Sequence, residues 1–191
     1  MERYKGGAKR VDALTQKQAT LVLNYLKGLG NKRNVLLWTL GITTGLRISD
    51  LLNLHLSDFL TAEGGVAESI TVSEQKTGKA RVIPIAPAAL KAFVAYREDI
   101  TDPDAKLFSI TREQARRLVK AWCDDCGLKG RYGTHTMRKT FATVAYDNSG
   151  GDPVVTARVT GHSNPSQLLT YIGRKPLTEL KVWKAVGKAF N

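Results

Sequence analysis

The sequence predicts an α+β chain that is mainly α-helical, with one small antiparallel β-sheet inserted among the helices. Three observations carry this prediction. Apolar residues recur at helical spacing in the first quarter of the chain and again after Pro87. Between Ser69 and Ile85 the pattern switches to runs rich in Ile, Val and Thr, and turn residues separate those two runs.

Each element follows from local signals. Thr15 reads as a helix N-cap before KQATLVLNYLKGL, in which Ala19, Val22, Leu26 and Leu29 repeat at helical spacing until Gly28 and Gly30 end the pattern. Residues 33–44 (RNVLLWTLGITT) are more apolar and predict a buried helix, which leads through Gly45 into a short helical segment from Ile48 to Leu54. Ser69 to Ser73 and Arg81 to Ile85 predict two strands of a hairpin, with Lys76-Thr77-Gly78-Lys79 as its turn. Helical patterns then cover Ala88 to Asp99, Arg112 to Cys126, His135 to Asn148, Val154 to Thr160, Gln167 to Ile172 and Thr178 to Phe190. Asp152 and Pro153 read as the cap and first residue of one of these helices, and Gly161 as the residue just past its end.

Composition bounds the function. A chain of 191 residues suits one domain, at roughly 100 to 200 residues each, and its 42% hydrophobic content excludes wholesale disorder. The 29 Lys and Arg against 17 Asp and Glu leave a net charge of +12. That field attracts polyanions, and nucleic acid is the first partner it implies. No apolar run is long enough to span a membrane, and the polar, basic start MERYKGGAKR has no apolar segment behind it, so we expect no signal peptide. With two cysteines, the chain is expected to reside in a reducing cytoplasm, associated with the nucleoid.

Several residues are candidates for chemistry, each with a plainer structural role beside it. Arg47, in TTGLRISDLL, has Asp50 three residues on, which also suits a surface ion pair. His135 and Arg138, in GTHTMRKTFAT, share one face of a helix start. An imidazole and a guanidinium there favour a bound anion such as phosphate, although a histidine near a helix start is also a common structural feature. His162 follows Gly161, and Tyr171 stands nine residues beyond it; a lone tyrosine is more often a core or rim residue than a nucleophile. Lys76 sits in the hairpin turn, where lysines usually serve solubility. Cys123-x-x-Cys126 supplies half a zinc site at most and reads as part of a helical core, so no metal site is expected. The chain also lacks a Walker-type loop, a G-x-S-x-G elbow and an H-E-x-x-H pair.

Taken in order, TGLRISDLLNL, KTGKARVIPI, HTMRKTFAT and GHSNPSQLLTY resemble the signature of the tyrosine recombinase (phage integrase) family, from about Leu14 to Tyr171. The resemblance implies the catalytic fold of that family and site-specific DNA recombination. It places Arg47, Lys76, His135, Arg138, His162 and Tyr171 in the active site, with Asp50 in a supporting role. Tyr171 would attack a scissile phosphate to form a 3′-phosphotyrosyl link and release a 5′-hydroxyl. Because that link stores the phosphodiester energy, neither ATP nor a metal cofactor is implied. Arg47 and Arg138 would grip the phosphate oxygens, Lys76 would protonate the leaving oxygen, His135 would assist proton transfer at Tyr171, and His162 would donate to the phosphate. Lys139 stands where many members have histidine.

The resemblance divides the chain into a basic segment (1–13), a catalytic domain (14–174) and a C-terminal helix (175–191) that docks on its own core or on a neighbouring protomer. Most family members carry a further N-terminal helical domain, whereas only about fourteen residues precede the catalytic domain here. The implied partners are double-stranded DNA, other protomers in a tetramer on that DNA, and an accessory DNA-bending protein. Two other activities fit the same features: a DNA-binding regulator without recombination, and a topoisomerase of the type IB kind.

Overall fold

A computed structural model describes residues 10–73, 78, 80–100, 102, 104–175, 183, 186 and 188. Helix α1 (Gln16–Gly28) opens on a capping box: the Thr15 side chain accepts from the Gln18 amide at 3.3 Å, while Gln18 Oε1 accepts from the Thr15 amide at 2.9 Å. Helix α2 (Lys32–Thr44) is capped by Asn31, which accepts from the Asn34 amide. It is apolar nearly all round and is correspondingly buried, with Leu36, Leu37, Trp38 and Leu40 fully enclosed.

Beyond α2 the chain turns at Gly45 into α3 (Ile48–Leu51), which stops three residues short of the expected Leu54. The amides of Asn53 and Leu54 bond back three residues, to Asp50 and Leu51, and this tightening ends the α-helix. A 3-10 turn (Leu56–Phe59) follows. Residues 54–56 then bond to residues 105–107, through Leu56 N–H to Ala105 and Leu107 N–H to Leu54. A link this short has no periodic signature in sequence.

Strands β1 (Ser69–Ser73) and β2 (Ala80–Pro84) pair antiparallel, with Ile70 opposite Ile83 and Val72 opposite Arg81. Ile70, Val72 and Ile83 face the core, while Thr71 and Val82 face outward, as a sheet with one wet face requires. Lys76 lies outside the described residues. Helix α4 (Pro87–Arg97) starts on a proline, and α5 (Arg112–Asp125) starts on a second capping box, made by Thr111 and Gln114. Helix α6 (Thr134–Asn148), α7 (Pro153–Thr160) and α8 (Pro165–Ile172) complete the described elements. The last begins two residues before the expected Gln167, because Asn164 caps it and Pro165 is already set for the first helical position. The helix expected from Thr178 to Phe190 lies outside the described residues, apart from Trp183, Val186 and Lys188.

The protein is therefore mainly helical with one small antiparallel sheet. It forms two compact units, Met1–Val144 and Ala145–Asn191. In the first unit the core is built on α1, α2, α4, α5 and the hairpin. Trp38 and Trp122 meet edge to face with centroids 6.0 Å apart, and Phe59 stacks on Phe93 at 4.6 Å. The indole Nε1 of Trp38 donates to the Ala19 carbonyl at 3.1 Å, so this large buried ring keeps its polar atom satisfied. In the second unit α7 packs on α8, burying Ala157, Leu168, Leu169 and Ile172. No helix among the described residues is long and apolar enough to cross a membrane.

Candidate active site

Arg47 owes its position to the end of α2. Gly45 adopts φ 63°, a left-handed conformation that glycine takes at little cost. A Cβ there would run into the ring of Phe141 on α6. The turn brings Arg47 to the cap position of α3 in extended backbone. One turn on, the buried Asp50 carboxylate lies 3.9 Å from Arg47 Nη1, and Ser49 donates to the same carboxylate. Asp50 thus sits beside the arginine.

His135 occupies the first turn of α6, and Arg138 follows one turn later. Arg138 is buried, at 5% exposure, and its Nη1 donates to the Gly45 carbonyl at 2.5 Å. The charge-assisted bond ties α6 to the turn that carries Arg47. A second close approach lies one turn back, where a Cβ at Gly41 would collide with Met137. Two glycines, Gly41 on α2 and Gly45 just past its end, therefore let α6 come near enough for the guanidinium to reach across.

The electrostatics at His135 report the same gathering. His135 is exposed, yet partial burial of its side chain lowers its pKa from the usual 6.5. The cationic groups of Arg138, Arg112 and Arg47 push it further the same way. The imidazole is accordingly held neutral at neutral pH. Arg112 had no sequence signal: it is one of many basic residues, marked only by the Thr111 cap before it. It also lines, with Ser49, a cleft of about 440 Å³ in this unit.

Lys139, the departure from the family pattern, points its ammonium to the Val11 carbonyl at 3.0 Å. Nearby, Leu14 N–H donates to Thr140 and Asp12 bonds to the Arg131 backbone. Residues 11–14 are thus fastened along the start of α6.

The second unit contains His162 and Tyr171. Helix α7 is capped by Asp152, which accepts from the Val154 and Val155 amides, and it ends at Gly161 with φ 67°. His162 N–H bonds back to Ala157 and Gly161 N–H to Arg158, a Schellman closure that fixes where the histidine backbone sits. Its Nδ1 lies 2.6 Å from the Thr160 hydroxyl. Tyr171, in the last turn of α8, is half-buried, and its ring centroid is 5.1 Å from that of His162 at a tilt of 45°. Arg174, just past α8, pairs with Asp147 at 2.9 Å.

The structure thus groups Arg47, Asp50, His135 and Arg138 in the first unit, and His162 with Tyr171 in the second. The first group offers two guanidiniums and a neutral imidazole to an anion. The second offers a phenol beside an imidazole. Cys123 is buried and Cys126 lies just past the end of α5, and among the described residues no cluster of three His, Cys, Asp or Glu is placed to hold a metal.

Comparison with known proteins places the chain in a family. The chain is 32% identical over 163 residues to "Probable integrase/recombinase YoeC" of Bacillus subtilis (strain 168), covering 82% of this chain and 86% of that protein. It is 29% identical to "Tyrosine recombinase XerC" of Caldanaerobacter subterraneus subsp. tengcongensis, covering 87% of this chain but 49% of the relative. The fold matches that of the Tn1549 transposon integrase, solved in complex with a circular intermediate DNA, with a TM-score of 0.74 at 22% identity over 95% of this chain and 67% of that one. Residues 12–176 match the profile of the Phage integrase family. That match takes in both residue groups, and with it the chain is a member of the phage integrase family.

Proposed function

We propose that this protein carries out site-specific recombination by cutting and rejoining DNA strands through a 3′-phosphotyrosyl intermediate. The observation that carries the reading is the Arg47–Gly45–Arg138 arrangement, because two arginines held to one turn suit a phosphodiester, whose negative charge grows in the transition state, better than they suit a plain surface ion pair.

Tyr171 Oη attacks the scissile phosphorus, forming the P–Oη bond and breaking the bond to the 5′ oxygen. The tyrosine proton passes to His135, whose neutral state makes it an acceptor. Lys76 gives a proton to the departing 5′ oxygen. The pentavalent transition state carries extra charge on its non-bridging oxygens, and Arg47 and Arg138 neutralise it with paired N–H donors, with His162 in its charged form as a further donor. Asp50 steadies Arg47. In the second half, a 5′-hydroxyl from the partner strand attacks the phosphotyrosine and restores the phenol.

The partner in this reading is double-stranded DNA, bound through many phosphate contacts that the charge of +12 supplies. Four protomers assemble on paired sites, with residues 175–191 docking on a neighbour and an accessory protein bending the DNA. Residues 14–174 act as the catalytic domain, and the protein works in the cytoplasm on nucleoid DNA.

Incubation with a nicked suicide DNA substrate tests this reading. A covalent protein–DNA adduct should accumulate, and Tyr171→Phe should abolish it. An adduct that survives the substitution rejects Tyr171 as nucleophile. Tight, specific binding with no cleavage at native sites would favour a regulator, and relaxation of supercoiled plasmid without defined sites would favour a topoisomerase.

A further inference from the structure

Beside Ala157, the buried face of α7 carries two threonines, and their polar contacts are ordered. Asp152, Thr156 and Thr160 repeat every four residues. The hydroxyl of Thr156 donates to the Asp152 carbonyl at 2.6 Å, and that of Thr160 donates to the Thr156 carbonyl at 2.7 Å. Thr156 and Thr160 are almost wholly buried, so each hydroxyl must find its partner inside the protein. Ser149 extends the row, 3.1 Å from Thr156 Oγ1. The row ends at His162, whose Nδ1 is 2.6 Å from Thr160 Oγ1.

A threonine hydroxyl has one hydrogen. Thr160 commits it to the Thr156 carbonyl, the back-bond that threonine commonly makes within a helix. Its oxygen can then only accept from His162, so Nδ1 must carry the hydrogen. A free histidine side chain favours the opposite tautomer, with the hydrogen on Nε2. The bond made at one ring nitrogen thereby decides the state of the other.

We infer that Thr160 is a positioning residue that holds His162 in the Nδ1–H tautomer and sets its ring orientation beside Tyr171. The Schellman closure at Gly161 fixes the histidine backbone, and the Thr160 hydroxyl fixes the ring. In this tautomer Nε2 carries the lone pair while the ring is neutral. It can then take a proton or hydrogen bond, and it donates to a phosphate oxygen only once the ring is charged. The inference rests on the catalytic reading for its consequence in strand cleavage, but not for the tautomer itself.

The test has two independent arms. Nitrogen-15 NMR of the imidazoles in the DNA-free protein, at a pH where His162 is neutral, reads the tautomer directly, with His162→Gln assigning the signal. The wild type should show Nδ1 protonated. Thr160→Val, close in shape but without the hydroxyl, should move the ring toward the Nε2–H form, and Thr160→Ser should restore the wild-type pattern. In the second arm, suicide-substrate cleavage should slow about fivefold in Thr160→Val, because the acceptor that orients the ring and supports its charged, donating form is lost, a loss worth roughly one hydrogen bond, and it should recover in Thr160→Ser. An Nε2–H ring in the wild type, or a Thr160→Val protein with unchanged spectrum and rate, overturns the inference. If the tautomer behaves as expected but no variant forms an adduct, the positioning role stands and the recombination reading fails.

Discussion

The Arg138 guanidinium donates to the main-chain carbonyl of Gly45 across 93 residues of sequence, at 2.5 Å. One bond thereby couples the first turns of α6 to the loop that presents Arg47, so the two arginines share a support. Disturbing either end should move both.

Gly45→Ala tests the glycine end. The added methyl meets the Phe141 ring, and the left-handed backbone at φ 63° costs an L residue roughly 1 to 2 kcal/mol. The folded state should lose about 2 kcal/mol or more in urea unfolding. DNA cleavage should fall as well, because Arg47 and Arg138 lose their common anchor. Unchanged stability would mean that α6 moves aside easily.

Arg138→Lys tests the guanidinium. An ammonium keeps the charge but cannot hold the Gly45 carbonyl and a phosphate oxygen in one planar fork. Single-turnover cleavage should drop on the order of 10² to 10³-fold, while binding to uncleaved DNA changes little. A rate within a few-fold of wild type would show that charge alone suffices.

The pH dependence of stability should carry the mark of His135. Burial, then Arg138, Arg112 and Arg47, hold its pKa below 6.5 in the folded protein. The unfolded chain therefore binds more protons in the window between the lowered value and 6.5, and stability falls as the pH drops through it. Above that window the residue makes no difference. Melting temperatures followed from about pH 7.5 to about pH 5 should decline less steeply in His135→Gln than in the wild type. Arg112→Gln should raise the His135 pKa in an NMR titration, and an unmoved titration would remove Arg112 from the group.

The cysteines should behave as core residues. Burial pushes the Cys123 thiol up to about 12, with Cys126 and Asp124 adding to it, and burial with Asp125 also raises Cys126. Since the thiolate is the reactive form, iodoacetamide should label both slowly in the native protein at about pH 8 and quickly in denaturant. A zinc chelator should leave the melting temperature unchanged; a fall would reveal a metal site.

Most of the element pattern was legible in the sequence because its signals are local. Thr15, and Asp152 with Pro153, are caps readable from a few consecutive residues. The errors are local too: α3 stops at Leu51 because 3-10 bonds replace the α pattern, and α8 starts earlier because Asn164 is a cap. The link between residues 54–56 and 105–107 was invisible, since it joins distant segments by bonds that leave no repeat.

By itself the sequence determined the helical class, the inserted hairpin, the basic charge, and the family through its four ordered motifs. Packing decided what those motifs do to one another. Arg138 is buried because Gly41 and Gly45 let α6 approach α2, Arg112 reaches the surroundings of His135 from another helix, and Thr160 meets the His162 ring at the closed end of α7. Periodicity and caps act over one or two turns of chain, whereas burial and charge coupling act through space. The chemistry at these residues is therefore set by contacts that no short stretch of sequence contains.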